Sequence, residues 1–408
     1  MSKEILTLEN NISYLYKKNT NTPRMAFCLG CSINEVESKP GVYSLIARLL
    51  TQGTKNYNSE QLANIFEKYA IDFTSEIFSN YLRIKFVCLN EDFSKAIELV
   101  NEVITNSTFA EIEKEKIKLK GEITAELDSP KAIAMDNYSK AIFENHYYGS
   151  TGSLTKILEN IDKVTFDEVV STYNKILNNS KKSLSIVGAL DKDEVMPLIN
   201  STIAKLPQSI DNNFKIEKPK EIASKKEVVA HKPSINQAHI VKGWQVATND
   251  NKREYATLIL LNIILGACGL SSRLFLELRD KKGLAYVVRS VYESFKTVGN
   301  FMIYIATEPN NIEVSLKGFD EEIEKIKNIL VTEDELNDAK NNFIGKCDFI
   351  NETNMQQACI YTKNNVLGFD FDFSQELKDY IKQITPEDIR EVANKYFNDN
   401  YVLSIVKP

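Results

Sequence analysis

Arg279 and Tyr286 are the residues whose types and spacing most directly suggest chemistry. They lie seven apart in the run Gly269-Leu-Ser-Ser-Arg-Leu-Phe-Leu-Glu-Leu-Arg279-Asp-Lys-Lys-Gly283-Leu-Ala-Tyr286. A guanidinium carries only N–H donors and a phenol adds an O–H donor. Taken alone, however, an arginine on a helix and a tyrosine on the following strand are common residues. The other reactive types do not form an obvious site. Cys28-Leu-Gly-Cys31 has a metal-like spacing, but it falls in Met25-Ala-Phe-Cys-Leu-Gly-Cys-Ser-Ile-Asn, which reads as a strand. Residues three apart on a strand face opposite sides, so the two sulfurs should not converge. His146, His231 and His239 are scattered and read as ordinary surface or partly buried histidines. Neither a Gly-x-Ser-x-Gly elbow nor a phosphate-binding loop occurs.

The elements that must position Arg279 and Tyr286 are legible. The spacing predicts a helix that packs Leu274, Phe275 and Leu278 inward, with Lys281 and Lys282 in its last turn, a stop at Gly283 and a strand from Leu284. With these residues Ser-Arg-Leu-x-x-x-Leu-Arg-x-x-x-Gly-Leu-Ala-Tyr resembles the signature of the insulinase-like metallopeptidases, which include pitrilysin, the mitochondrial processing peptidase and bacterial relatives. The resemblance implies that Arg279 and Tyr286 reach substrate at a zinc site. There Arg279 would donate to a substrate carbonyl, and the Tyr286 hydroxyl to the oxyanion as the scissile bond becomes tetrahedral.

The same resemblance finds the zinc helix emptied. Active members read Gly-x-x-His-x-x-Glu-His-x-x-x-x-Gly-Thr, where two histidines bind zinc and the glutamate is the general base. This chain reads Gly41-Val-Tyr-Ser44-Leu-Ile-Ala47-Arg48-Leu-Leu-Thr-Gln-Gly53-Thr54. Ser44, Ala47 and Arg48 therefore stand at the first histidine, the base and the second histidine. Serine is a poor neutral ligand, alanine carries no base, and a guanidinium does not give up its proton to a metal. Val42, Leu45, Ile46, Leu49 and Leu50 keep a helical apolar stripe, so the helix itself should form. Glu115 and Glu122 keep the family's seven-residue glutamate spacing, which makes Glu122 the residual third-ligand carboxylate. An Arg48–Glu122 ion pair is the expected filling of the vacated cavity.

A duplication frames both motifs. Thr165-Phe-Asp-Glu-Val-Val-Ser-Thr-Tyr-Asn-Lys175 precedes Leu184-Ser-Ile-Val187, and Thr385-Pro-Glu-Asp-Ile-Arg-Glu-Val-Ala-Asn-Lys395 precedes Leu403-Ser-Ile-Val406. Each copy reads as a Thr-capped helix with an acidic first turn, followed by a closing strand. Gly121 and Gly345 add a second echo at a similar offset. Alternating stretches from Asp72 to Leu89 and from Val288 to Ala306, set among amphipathic helices, give each half an α+β character. The expected organisation is an N-terminal domain over 1–210, a linker over 211–232 and a C-terminal domain over 233–408. The family resemblance makes these two homologous α/β-roll domains that clasp like a clam shell around a peptide.

Composition is that of a soluble globular chain, 43% hydrophobic and 26% charged. A net charge of −6 gives no argument for nucleic acid or an acidic membrane as partner. The apolar run from Thr257 to Leu270 contains Asn262 and is too short to span a bilayer. Six dispersed cysteines do not look like a disulfide framework, and Met-Ser-Lys-Glu opens a polar start, so the cytoplasm is the expected compartment. The resemblance thus implies a zinc-less subunit of a heterodimeric peptidase. It would take no cofactor itself and would pair with a homologous chain that carries zinc on an intact His-x-x-Glu-His motif. An isolated homodimer is compatible with the sequence, and the alternative is an inactive scaffold or peptide-binding protein of the same fold.

Overall fold

The computed structural model describes residues 3–211 and 216–408. Met1, Ser2 and residues 212–215, at the polar start and in the expected linker, lie outside the described residues. The chain forms two compact α+β units, each built on one sheet. The first sheet contains β1 (Lys3–Thr7), β2 (Ser13–Lys18), β3 (Arg24–Ser32), β4 (Asp72–Ile77), β5 (Tyr81–Leu89) and β6 (Lys182–Gly188). Its order is β1-β2-β6-β3-β5-β4. The second contains β7 (Lys226–His231), β8 (Ala238–Val246), β9 (Ala285–Ser294), β10 (Gly299–Thr307) and β11 (Val402–Lys407), in the order β7-β11-β8-β10-β9.

The duplication is topological as well as sequential. The β2–β6 and β7–β11 pairs are parallel, and every later pair in both sheets is antiparallel. The two echoing helices, Phe166–Asn178 and Pro386–Tyr396, each begin with a threonine capping box, at Thr165 and Thr385. They precede β6 and β11 as expected. Within the stretch read as a linker, residues 226–231 form β7, the counterpart of β2. As an edge strand it alternates half-buried and exposed residues, so no continuous apolar run sets it off from the lysine-rich stretch around it.

Neither unit is a contiguous half of the sequence. The first runs to Gly121, resumes at Ile157 and includes Asp348–Ser374 from the second half. There helix Asn354–Val366 packs on β3 and β6. Asn354 Nδ2 donates to the Arg24 carbonyl at 3.1 Å, and Thr362 Oγ1 donates to the Cys28 carbonyl at 2.9 Å. The second unit takes Glu122–Lys156 in return. Its helix Pro130–Phe143 lies on β8 and β11, where the buried Tyr138 hydroxyl donates to Asn300 Oδ1 at 2.6 Å. Gly243 of β8 permits this approach, since a Cβ there would stand 2.1 Å from the Tyr138 hydroxyl. The rest of the second core gathers Trp244, Phe301, Phe319 and aliphatic side chains from β8, β10 and the helices beside them.

Candidate functional site

The emptied helix is Val42–Leu49, with Gly41 at φ 107 turning the chain into it. Val42, Tyr43, Leu45, Ile46 and Leu49 are buried, while Ser44, Ala47 and Arg48 share a half-exposed face. The helix starts on an acid: Glu37 Oε2 accepts from the Tyr43 N–H at 2.9 Å, filling one of the unpaired amides at the N-terminus. Arg48 Nη1 lies 3.7 Å from Oε2 of Glu115 on helix Ile112–Leu127. Glu115, seven residues before Glu122, is thus a carboxylate beside Arg48. Glu115 is almost fully buried, and Lys118 donates to its other oxygen at 2.6 Å. Glu122 belongs to the second unit and is exposed. Replacing Arg48 with alanine is expected to cost about 1–2 kcal/mol, a discounted value because Arg48 is partly exposed and Lys118 remains. An unchanged urea midpoint would show that Lys118 alone satisfies Glu115.

Ser44, Ala47 and Arg48 do not fit zinc, and among the described residues no group of three or more His, Cys, Asp or Glu side chains could hold a metal ion. The three histidines are engaged within the second unit. His231 Nδ1 lies 2.9 Å from the Pro408 carbonyl. His146 Nε2 lies 2.9 Å from the Glu217 carbonyl while its Nδ1 accepts from the Tyr148 N–H, and His239 Nδ1 lies 2.8 Å from the Tyr304 hydroxyl. Loss of solvent holds both His146 and His239 below the ordinary histidine range, helped at His239 by the Lys131 charge. A depressed histidine binds its proton more readily unfolded than folded, so stability falls as pH drops below about 6.5. The urea midpoint should decline between pH 7.5 and 5.5, above the range where carboxylates titrate. The slope should shrink in a His146→Asn/His239→Asn chain.

Cys28 and Cys31 lie on β3 as expected. Cys28 packs with Ala358 and Cys359, whereas Cys31 faces the other side, towards Lys182 and Tyr173. The metal-like spacing is therefore structural.

Arg279 and Tyr286 are brought together. The segment expected as an α-helix is a wider π-helical turn, Phe275–Lys281, a form often found at functional sites. It is anchored at its start by Arg273, whose guanidinium forks onto both Glu335 oxygens at 2.7 Å. Gly283, at φ 61, ends it; the Gly283 N–H donates to the Arg279 carbonyl and the Leu284 N–H to the Leu278 carbonyl. The chain then enters β9, the edge strand of the second sheet. Here the register slips: Ala306 pairs with Val287 and Thr307 with Ala285, so Tyr286 is the extra residue of a bulge. Bulges re-aim side chains, and this one leaves Tyr286 77% exposed.

The Arg279 guanidinium lies 4.7 Å from the Tyr286 ring centroid and 4.7 Å from that of Phe275. It is sandwiched between two aromatic rings, a contact that fixes a planar cation while leaving its N–H edge available. Leu274 and Leu278 are buried as expected, but Phe275 is only half-buried and serves as the second wall. Among the described residues no carboxylate lies within ion-pair distance of Arg279, and no acceptor takes its N–H groups or the Tyr286 hydroxyl. Two adjacent donors thus stand at the surface without acceptors. Sequence reasoning missed the Arg273–Glu335 clamp, placed Phe275 in the core, and named Glu115 without giving it a partner. The signals were present only as an aromatic four residues before Arg279 and an acid seven before Glu122.

Residues 15–155 match the insulinase family (peptidase family M16), and residues 163–343 match the peptidase M16 inactive domain. The chain belongs to the insulinase-like peptidase family M16. Among its relatives, a Rickettsia bellii protein described as an uncharacterized zinc protease is 24% identical over 92% of this chain and 89% of its own length. The non-peptidase homolog YmxG of Helicobacter pylori is 25% identical over 95% and 90%. The probable inactive metalloprotease YmfF of Bacillus subtilis is 26% identical over 66% and 63%. Two crystal structures share the fold at a TM-score of 0.88: a peptidase M16 inactive domain from Pseudomonas fluorescens, covering 100% of this chain and 98% of that one at 22% identity, and a Helicobacter pylori protease, covering 100% of both at 21%. This chain is an inactive-type M16 member that lacks the zinc motif. Among the described residues no helix is long and apolar enough to cross a membrane.

Proposed function

We propose that this chain is the zinc-less subunit of a heteromeric M16 peptidase and that Arg279 and Tyr286 serve the zinc site of a homologous partner in the cytoplasm. The observation that carries this reading is the cradle itself: a guanidinium held between Phe275 and Tyr286 with a phenol hydroxyl beside it and, among the described residues, no counter-ion and no acceptor for either donor. A cation left without a carboxylate near a protein surface has no evident stabilising role, whereas an acceptor arriving with a ligand would complete it. In peptide hydrolysis that acceptor is a carbonyl oxygen, which becomes more negative in the tetrahedral transition state. Arg279 holds the peptide carbonyl and Tyr286 donates to the developing oxyanion. The attacking water belongs to the partner, because this chain has alanine where the base would stand.

A second reading, peptide binding without hydrolysis, is favoured by the relatives described as a non-peptidase homolog and a probable inactive metalloprotease. Reconstitution separates the two. The purified chain should contain no zinc and cleave no peptide, and activity should appear on mixing with a His-x-x-Glu-His homologue from the same source. Tight mixing with no gain in cleavage would favour the scaffold.

A further inference from the structure

One reactive cluster is used by neither motif: the thiols of Cys28 and Cys359. Cys28 is fully buried in the middle of β3, and Cys359 lies half-buried on helix Asn354–Val366, which covers that strand. The register between strand and helix is fixed. Thr362, one turn after Cys359, bonds to the Cys28 carbonyl, and two residues along the strand a Cβ on Gly30 would stand 2.8 Å from Thr362 Cγ2. The two thiols share a small apolar cluster with Ala26, Val187 and Ala358. Met355 Sδ, one turn before, lies 3.6 Å from Cys359 Sγ.

The two sulfurs are chemically unequal. Burial pushes the Cys28 thiol well above the ordinary range, so it stays neutral. The neighbouring Cys28 thiol, with the charges of Arg83 and Lys85, holds Cys359 down to about 7. Lys85 and Arg83 pair across β5 with Cys28 and Gly30, which puts both cations on the face that the helix covers. A partly accessible thiolate beside cations, with a second thiol in reach, is the arrangement that reacts with peroxide and then resolves to a disulfide.

We propose that Cys28 and Cys359 form a peroxide-responsive dithiol whose oxidation fastens helix Asn354–Val366 to β3. In the first step the Cys359 thiolate attacks one oxygen of a hydroperoxide. The O–O bond breaks, hydroxide leaves and takes up a proton, and Cys359 becomes a sulfenic acid. In the second, Cys28 sulfur attacks Cys359 sulfur, the S–O bond breaks, and the hydroxyl leaves as water with the Cys28 proton. Two thiols lose two electrons and hydrogen peroxide becomes two waters. The bond would join the first and last thirds of the sequence within one unit, a long loop of the kind whose closure most restricts the unfolded chain.

The test uses the whole chain, reduced, then treated with hydrogen peroxide, alkylated and digested without reductant. A peptide linking Cys28 to Cys359 is expected, two hydrogens lighter than the pair, with a raised thermal midpoint that dithiothreitol reverses. In Cys28→Ser, Cys359 should be captured by dimedone as the sulfenic acid; in Cys359→Ser, Cys28 should stay reduced. Should Cys28→Ser fold poorly, Cys28→Ala serves the same purpose, and the wild-type map stands without either. Oxidation that leaves both thiols open to alkylation, or that consumes Cys31, Cys88, Cys268 or Cys347 first, would overturn the proposal.

Discussion

Replacing Arg279 with alanine should lower the cleavage rate of the reconstituted pair about 10²–10³-fold, roughly 2.7–4 kcal/mol of transition-state stabilisation. The loss should fall mainly on kcat, because an oxyanion gains more from a donor than a ground-state carbonyl does. Tyr286→Phe separates ring from hydroxyl: it keeps the face that stacks 4.7 Å from the guanidinium and removes only the O–H. A similar kcat loss there would assign the hydroxyl to the oxyanion. Arg279→Lys should recover little, since an ammonium lacks the planar fork that two rings can clasp. Neither change should move the thermal midpoint much, given that Tyr286 is largely exposed and Arg279 has no ion pair among the described residues. Unchanged turnover in both variants would remove the pair from catalysis and leave peptide binding as the better account.

Gly243→Ala should be among the most destabilising single substitutions, at about 3 kcal/mol. A Cβ would meet the Tyr138 hydroxyl at 2.1 Å and the Phe301 carbonyl oxygen at 2.6 Å. Overpacking a core costs about 1–3 kcal/mol. Moving Tyr138 also breaks its buried bond to Asn300, which adds about 1–3 kcal/mol. Urea denaturation measures the sum, and a Gly243→Ala/Tyr138→Phe chain tests the cause. Deleting the hydroxyl removes the closest clash, so the double variant should lose less than the two single losses combined. Strict additivity would mean that the Phe301 main chain, not helix Pro130–Phe143, sets the limit.

That helix is where sequence reasoning reached its limit. Thr165 and Thr385 announce their helices through caps and acidic first turns, and the alternating runs announce the β4–β5 and β9–β10 hairpins. These signals act over a few residues. Nothing local in Pro130–Phe143 or Asn354–Val366 says which sheet either will cover, because the partner strands lie far away along the chain. Likewise Lys226–His231 resembles linker until β11 is present to pair with it.

The sequence by itself determined the duplication, the α+β character and the loss of zinc chemistry. Serine, alanine and arginine lack the ligands and base whatever surrounds them. Only the tertiary structure decided that Phe275 faces outward as a wall, that a bulge turns Tyr286 onto Arg279, and that Glu115 stands beside Arg48. The physical reason is the range of the forces involved. Capping and periodicity are settled between neighbours in the chain, whereas a bulge, a π-helical turn or a buried charge is held by packing between elements far apart in sequence.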